Sequence, residues 1–303
     1  VPLGRGLLVP SWGDHRIDFF RLQQEGASYR ADLITIAKGG RYFRPTCIAQ
    51  DHNVVGNKRV WYLADWVDGR YNAHGLGRLW KLEIDLKQAE WIGPRDLKPP
   101  TQAALLAKNL RSEIESYDVE KLLQIAGNDD PFLARSALVA LSRDAKHWEV
   151  DAVRHWSLDD RVQAVMALDL ANADPDKWLP LFLGDDSPDV RYQALRWIAN
   201  SDLKKYLSEV EKILNHSGIN YTLFEAAMAT WNTLNNKPEA GIRDVDVLLQ
   251  RVQDKNSSPR LRAYALRLMP VQSRAAKGAD KLPAKKFPNG LSIELLRELN
   301  AVD

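Results

Sequence analysis

The chain has 303 residues, of which 45% are hydrophobic and 27% charged, as in an ordinary globular protein with room for two domains. A net charge of +2 excludes a strong overall field for recruiting nucleic acid or a membrane surface, and no apolar run is long enough to span a bilayer. The single cysteine, Cys47, excludes an internal disulfide. The chain starts at Val1 without a signal-peptide pattern, so we expect a processed form or a fragment of a longer protein.

Six short segments in the first third of the chain alternate apolar with polar residues or are rich in aromatic and β-branched residues. We predict strands over Gly6–Trp12, Arg16–Leu22, Ala31–Ala37, Pro45–Gln50, Arg59–Trp66 and Arg78–Ile84. Three strands followed by three more at this spacing are typical of antiparallel propeller blades or of a barrel fragment. A complete propeller needs more blades, so we expect unpaired sheet edges.

The segment Trp91–Thr101 separates the strands from a different pattern. It contains three prolines and no periodicity, and a Pro-Pro pair cannot lie inside a helix. We therefore predict a multidomain β + α chain, with partial propeller blades over residues 1–92 and a linker over 93–101. An α-solenoid over 102–272 follows, and then a basic linker with a terminal helix over 273–303.

Five segments of the second half superimpose with an apolar residue followed four positions later by a small or apolar one. The pairs are Leu133/Ala137, Val162/Met166, Val190/Ala194, Leu223/Ala227 and Leu261/Ala265. Their spacing of about 28–38 residues is typical of helix-pair repeats and is similar to HEAT repeats, while an ordinary helical bundle is the alternative. The tryptophans of this half are predicted to be core: Trp148, Trp156, Trp178, Trp197 and Trp231. His147 and His155 are predicted to lie at the surface.

Three motifs within Arg41–Asp85, namely RPTCIAQD, VWYLADW and HGLGRLWKL, carry a family resemblance. They are similar to the closing blade of six-bladed propellers of the quinoprotein glucose/sorbosone dehydrogenase type. GLLVPSW and IDFFRL resemble the preceding blade, so the resemblance covers about residues 5–86. A propeller of this type joined to HEAT-like helices resembles exported, membrane-bound dehydrogenase-like proteins of planctomycete-type bacteria. The resemblance implies a periplasmic or otherwise extracytoplasmic location.

In that family two arginines before the inner strand of the closing blade contact the carboxylates of pyrroloquinoline quinone (PQQ). The resemblance implies that Arg44 and Arg41 bind PQQ, with calcium, in the full-length protein, because guanidinium groups donate paired hydrogen bonds to carboxylates. The spacing here is wider by one residue, so Arg44 is the stronger candidate. The family's lysine after LLVPS is missing, and Arg16 or His15 would replace it. If the upstream blades exist, we expect Arg44 to face the propeller axis and Cys47 to point between sheets. The alternative is that both arginines brace neighbouring blades by binding carbonyl groups.

The loop ADWVDGRYNAHG offers two interpretations. Asp65, Asp68 and His74 could bind a hard cation through oxygen-rich ligands, although their spacing is not that of an EF-hand. We favour a turn that Asp65 caps and in which Gly69 and Gly75 adopt positive φ. The aromatic residues of the strand half are predicted to pack between blades: Trp12, Trp61, Trp66, Trp80 and Trp91.

The combined prediction is the C-terminal portion of a sugar or aldehyde dehydrogenase-like propeller protein that is inactive as this chain. The family's general-base histidine lies in an earlier blade, so no catalytic residue is assigned here. The alternative is a non-catalytic scaffold whose solenoid groove recruits a protein partner. Acidic residues interleaved through the helical half argue against nucleic-acid binding. A sugar or aldehyde would bind through the propeller.

Overall fold

The computed structural model describes residues 2–3, 6–51, 56–92, 99–112, 117–235, 245–269 and 293–300. Within these ranges antiparallel strands come first and α-helices follow, which confirms the predicted order of β and α structure. The strands form two separate sheets, and neither closes into a barrel in the part of the chain described. None of the described helices is both long and apolar enough to cross a bilayer.

All six predicted strands are present within a few residues of their predicted ends, and a short additional strand precedes them. The strands are β1 Pro2–Leu3, β2 Gly6–Ser11, β3 Arg16–Glu25, β4 Ser28–Lys38, β5 Pro45–Gln50, β6 Lys58–Asp65 and β7 Arg78–Asp85. One sheet has the order β1-β2-β3-β4 and the other β5-β6-β7, with every neighbouring pair antiparallel.

The two sheets contribute to one apolar core. Leu8 and Phe19 of the first sheet and Trp61 and Leu63 of the second are at most 1% exposed and belong to the same cluster. Trp61 and Leu63 are two residues apart on β6, so the period of a strand places both on the inner face. Burial of an aromatic side chain of this size removes a large apolar area from water, which makes this cluster the main stabilising feature of the sheets.

The side chain of Cys47 is exposed in this chain, whereas the sequence predicts that it points between sheets when the upstream blades are present. The pairing of β5 with β6 shifts register between Pro45 and Cys47. A bulge of this kind inserts one extra residue and changes the side on which the following side chains lie. Pro45 and Ile48 consequently take the buried positions, and Cys47 faces solvent.

Helices occupy the second part of the chain. They are α1 Gln102–Ser112, α2 Val119–Ala126, α3 Pro131–Asp144, α4 Val150–Arg154, α5 Leu158–Leu170, α6 Pro175–Leu183, α7 Pro188–Asn200, α8 Leu207–Leu214, α9 Tyr221–Leu234, α10 Val245–Gln253, α11 Pro259–Leu268 and α12 Ile293–Asn300. The predicted terminal helix is confirmed as α12, whereas the basic stretch before it lies outside the described residues.

Five of these helices share one pattern of capping and burial. Each starts at a side-chain N-cap, which satisfies backbone N–H groups of the first turn. The caps are Asp130, Ser157, Ser187, Asn220 and Ser258. Seven residues after each cap stands a fully buried alanine, and these are Ala137, Ala164, Ala194, Ala227 and Ala265. A small residue at this position allows a neighbouring helix to approach closely.

This common register corrects one predicted pair. Val162 and Met166 are only half-buried, whereas Ala164 and Val165 are buried. The cap at Ser157 starts α5 two residues earlier than the sequence superposition implied. The buried alanines predicted in the other four helices are confirmed.

The helices after α4 pack in a regular series. The odd-numbered members contact each other in turn, α5 with α7, α7 with α9 and α9 with α11, while α6, α8 and α10 pack alongside α7, α9 and α11 respectively. Trp148, Trp178 and Trp197 are buried as predicted, whereas Trp156 and Trp231 are half-buried. His147 and His155 are exposed, as predicted.

The chain divides into two compact units. The first comprises residues 1–116 together with 128–137, and the second comprises 117–127 together with 138–303. In this division α1 and the first turns of α3 belong with the strands. Hydrogen bonds within the first unit account for this: Thr101 Oγ1 donates to the carbonyl of Gly26, and Asp130 Oδ2 accepts from Ala27 N at 2.6 Å. Residues 93–98 of the predicted linker lie outside the described residues, so that linker remains a prediction.

Asp130 generates a stability prediction. Its carboxylate accepts hydrogen bonds from the N–H groups of Ala27, Leu133 and Phe132, and these lower the pKa of Asp130 below its ordinary value. Asp130→Ala should lower the free energy of unfolding by about 1–2 kcal/mol at neutral pH, as for other lost N-caps. Because the native pKa is depressed, this stabilisation exists above the unfolded-state pKa and disappears as the pH falls through the native value.

Urea unfolding between pH 7 and pH 2.5 measures the effect. The difference in free energy of unfolding between Asp130→Ala and wild type should shrink as the pH falls below about 4. Asp129→Ala is the matched control, because the carboxylate of Asp129 is adjacent in sequence but caps no helix. This variant should have nearly the stability of the wild type at any pH. A difference for Asp130→Ala that stayed constant with pH would contradict the role of the ionised carboxylate.

Candidate functional site

Asp65, at the end of β6, is the centre of a corner formed with Arg44, Val67, Arg78 and Trp80. Arg44 is the predicted ligand-binding arginine. The side chain of Asp65 has no exposed surface. Oδ1 accepts from the backbone N–H of Arg44 at 2.7 Å and of Val67 at 3.0 Å. Oδ2 accepts from Trp80 Nε1 at 2.9 Å and lies 3.8 Å from Arg78 Nε. The prediction that Asp65 caps a turn is confirmed, and its carboxylate additionally joins β5, β6 and β7.

The guanidinium of Arg44, which lies at this corner, has few interactions with the rest of the protein. The group lies 4.3 Å from the Trp12 ring centroid, a cation–π contact, and Nη1 donates only a long 3.5 Å hydrogen bond to the Trp12 carbonyl. Nε is buried and has no hydrogen-bond partner. Within the described part of the chain Arg44 forms no ion pair. A half-buried guanidinium in this state retains its capacity to bind a carboxylate.

Two residues of the following loop pack around Arg44 and Trp12. Tyr71 stacks on Trp12 with ring centroids 5.5 Å apart. A Cβ added at Gly69 would lie 3.1 Å from Arg44 Nη2. Gly69 therefore lies close to the guanidinium of Arg44 and does not adopt the predicted positive φ, so the prediction for Gly69 is wrong. Gly75 has the predicted positive φ, of 68°, and Val67 unexpectedly shares this conformation with φ of 72°.

The other predicted arginines differ from Arg44. Arg41 is exposed, lies over the ring of Tyr42 and contacts the Tyr42 hydroxyl. Arg16 is committed to carboxylates, since Nε donates to Asp18 at 2.8 Å and Nη2 lies 3.4 Å from Asp14. The hydrogen bond to Asp18 raises the pKa of Arg16 further. Within the described residues, no hydrogen bond or ion pair joins Arg16, Arg41 and Arg44 to one another.

His15 is a turn residue rather than a base presented to a ligand. Its φ of 58° lies in the left-handed region, and its Nδ1 is 2.9 Å from the carbonyl oxygen of Phe43. This contact ties the turn after β2 to the residue next to Arg44. His15 therefore helps to position the segment that carries Arg44.

The cation interpretation of the loop after β6 is not favoured by the geometry. Asp68 pairs with Arg70 at 2.7 Å, and this hydrogen bond lowers the pKa of Asp68. His74 Nδ1 accepts from Leu76 N, and its ring packs against Trp66 at 4.9 Å. Among the described residues, no three His, Cys, Asp or Glu side chains are grouped so that they could hold a metal ion.

The tryptophans of the strand half have different roles. Trp61 is fully buried in the core shared by the sheets, as a packing residue should be. Trp12 supports Arg44, and Trp80 donates to Asp65 although 43% of its surface is exposed. The side chain of Trp91 lies outside the described residues. Sequence reasoning assigned all of these side chains to packing and missed the polar role of the Trp80 nitrogen, which has no sequence signal.

No protein-family model, curated protein or solved structure matches this chain. Its site therefore has to be interpreted from its own geometry.

Asp65→Asn tests the corner. The amide supplies one acceptor oxygen where the carboxylate supplies two, so donors from Arg44 and Val67 or from Trp80 lose their partner. We expect a loss of about 1–3 kcal/mol in the free energy of unfolding, the usual cost of leaving a buried polar group unsatisfied. Urea unfolding followed by tryptophan fluorescence measures it.

The matched control is Asp68→Asn. Asp68 pairs with a largely exposed Arg70, and surface pairs of this kind contribute little to stability because solvent screens them. An equal decrease in the free energy of unfolding for Asp65→Asn and Asp68→Asn would show that Asp65 has no special role in the corner.

Proposed function

We propose that this chain is the C-terminal portion of an exported, quinoprotein glucose/sorbosone dehydrogenase-like propeller protein, with Arg44 contributing to the binding of PQQ. The observation that carries the proposal is the uncommitted guanidinium of Arg44. Arg16, Arg70 and Arg78 lie within 4 Å of carboxylates, whereas Arg44 is half-buried beside Trp12 with a buried, unpaired Nε.

The residues at this corner fit PQQ in part. A carboxylate of the quinone would supply the acceptor that Arg44 Nε lacks, and the Trp12 ring would keep the guanidinium in place. Arg41, which is exposed and has no carboxylate partner among the described residues, would be a second and weaker contact. Arg16 fits poorly, because Asp14 and Asp18 already neutralise it.

When bound, PQQ supplies the oxidising chemistry by accepting two electrons from a sugar or aldehyde substrate. The contribution of this chain is to bind and orient the cofactor from one side. Calcium would take its ligands from residues outside those that the structure describes, among which no three His, Cys, Asp or Glu side chains are grouped to hold a metal ion.

The helical half would form a HEAT-like solenoid with a protein partner in its groove. The support is the series of contacts from α5 to α11 together with the common alanine seven residues after each N-cap. Repeats that contact only their neighbours form extended surfaces suited to binding other proteins.

A non-catalytic scaffold is the second candidate function. The observation in its favour is Arg16, whose commitment to two carboxylates removes the candidate replacement for the family's lysine. In this case Arg44 would brace the two sheets through Trp12, and the protein partner of the helical half would define the activity.

Arg44→Lys distinguishes the two candidates in a form of the protein that includes the preceding blades. Lysine keeps the charge but loses the planar pair of donors, so PQQ affinity should fall by about 1–3 kcal/mol, or about 5- to 150-fold. Fluorescence titration with PQQ measures the change.

Arg16→Lys is the matched control for this titration and should leave the affinity unchanged, because Arg16 is already neutralised. An unchanged affinity in Arg44→Lys as well would eliminate the quinone site and favour the scaffold.

The 303-residue chain alone should show no dehydrogenase turnover, even with added PQQ and calcium. Catalysis requires a base within hydrogen-bond reach of the substrate proton, and none is assigned in this chain. A dye-linked assay with aldose and aldehyde substrates measures this. Quinone-dependent turnover by the purified chain would contradict the proposal that the remaining blades are required.

A further inference from the structure

Three helices of the repeated series carry an arginine four residues after the N-cap: Arg161 of α5, Arg191 of α7 and Arg262 of α11. Their common position allows a direct comparison of how each guanidinium is satisfied. The comparison separates Arg191 from the other two.

Arg161 is fully engaged. Nε and Nη2 donate to the carboxylate of Asp185 at 2.7 and 3.2 Å, and Nη1 donates to the carbonyl of Trp156 at 2.7 Å. The carboxylate side chain of Asp185 is only 7% exposed. The pairing has the two-pronged geometry that guanidinium and carboxylate groups prefer.

Arg262 is engaged as well. Its side chain is 5% exposed, Nε donates to the carbonyl of Val252 at 2.9 Å, and Nη1 donates to Glu298 at 2.6 Å. The same helix position therefore receives a carboxylate from a different part of the chain. Two of the three arginines follow the rule that a buried cation is paired.

Arg191 has no such partner. Its side chain forms no hydrogen bond or ion pair within the described residues, and its Nε is buried without an acceptor. An unpaired buried donor is rare in folded proteins and needs an explanation. The side chain as a whole is half-buried, so the rest of its guanidinium remains accessible to a ligand.

The missing group can be identified from the repeat. Asp185, the partner of Arg161, stands two residues before Ser187, the N-cap of α7. The equivalent position before Asn220, the N-cap of α9, is Gly218, which has no side chain. The chain thus retains the arginine of the pair but lacks the carboxylate at the corresponding place.

We propose that Arg191 is a binding site for a carboxylate ligand, which occupies the position that Asp185 holds beside Arg161. The carboxylate comes either from a small dicarboxylate or from an acidic side chain of a polypeptide. This site is separate from the proposed quinone contact at Arg44 and does not depend on it.

Titration of the arginine Nε–H signals by ¹H–¹⁵N NMR tests the site in the complete 303-residue chain. The probes are succinate and a blocked, glutamate-rich hexapeptide, with sodium chloride at matched ionic strength as the control. We expect one Nε–H signal to shift saturably with a carboxylate probe and not with chloride. Its absence from the spectrum of Arg191→Lys assigns it to Arg191.

The two sources give different outcomes. Similar affinity for succinate and peptide identifies a small-carboxylate site, whereas an affinity at least tenfold higher for the peptide identifies a polypeptide partner. Either result supports the site. No saturable shift with either probe, or an equal shift with chloride, overturns it.

Gly218→Asp supplies the missing carboxylate within the chain and should abolish probe binding while shifting the Arg191 signal in the unliganded protein. Gly218 has no positive φ, and an added Cβ would approach only the exposed side chain of His216, at 3.0 Å. Gly218→Asn is the matched control of equal size without charge and should retain binding. Loss of binding in both variants, or retention in both, overturns the proposed position of the ligand.

Discussion

The buried carboxylate of Asp65 is the interaction on which the candidate site depends. It accepts hydrogen bonds from two backbone N–H groups and one indole N–H and lies near Arg78. It therefore joins the end of β6 to the starts of β5 and β7. A charge without exposed surface is tolerated only when it is hydrogen-bonded and paired in this way. Because one of its donors is the backbone of Arg44, the carboxylate also determines where the Arg44 side chain leaves the sheet.

Three half-buried arginines differ in whether a carboxylate of the chain pairs with their guanidinium group. Arg161 is neutralised by Asp185 and has a structural role, whereas Arg44 and Arg191 each retain a buried Nε without an acceptor. An isolated guanidinium keeps its charge at any physiological pH, so it cannot relieve its burial by losing a proton. An external anion would supply the missing acceptor, which is the role that we propose for the ligands of Arg44 and Arg191. The proposed quinone contact in the strand half and the proposed carboxylate site in the helical half thus have the same physical cause.

In the helical half, the N-cap residues set where each helix begins and therefore which of its residues are buried against neighbouring helices. A polar side chain begins each of five helices, and the alanine seven residues later is fully buried. Sequence superposition found four of these alanines and misplaced the segment from Arg161, because apolar residues at Val162 and Met166 resemble the repeat as closely as the correct register does. The N-cap at Ser157 resolves the ambiguity, since capping fixes the first turn.

The sequence by itself determined the order of strands and helices, the approximate bounds of the main strands and the register of four of the five capped helices. These depend on periodicity and on side chains that bond to their own backbone, which are local properties. Only the tertiary structure decided that a bulge exposes Cys47, that Gly69 makes room for a guanidinium, and that Asp18 neutralises Arg16 while Arg44 stays unpaired. Each of these depends on which distant groups meet across strands or loops, and such contacts leave no periodic signal in a single sequence.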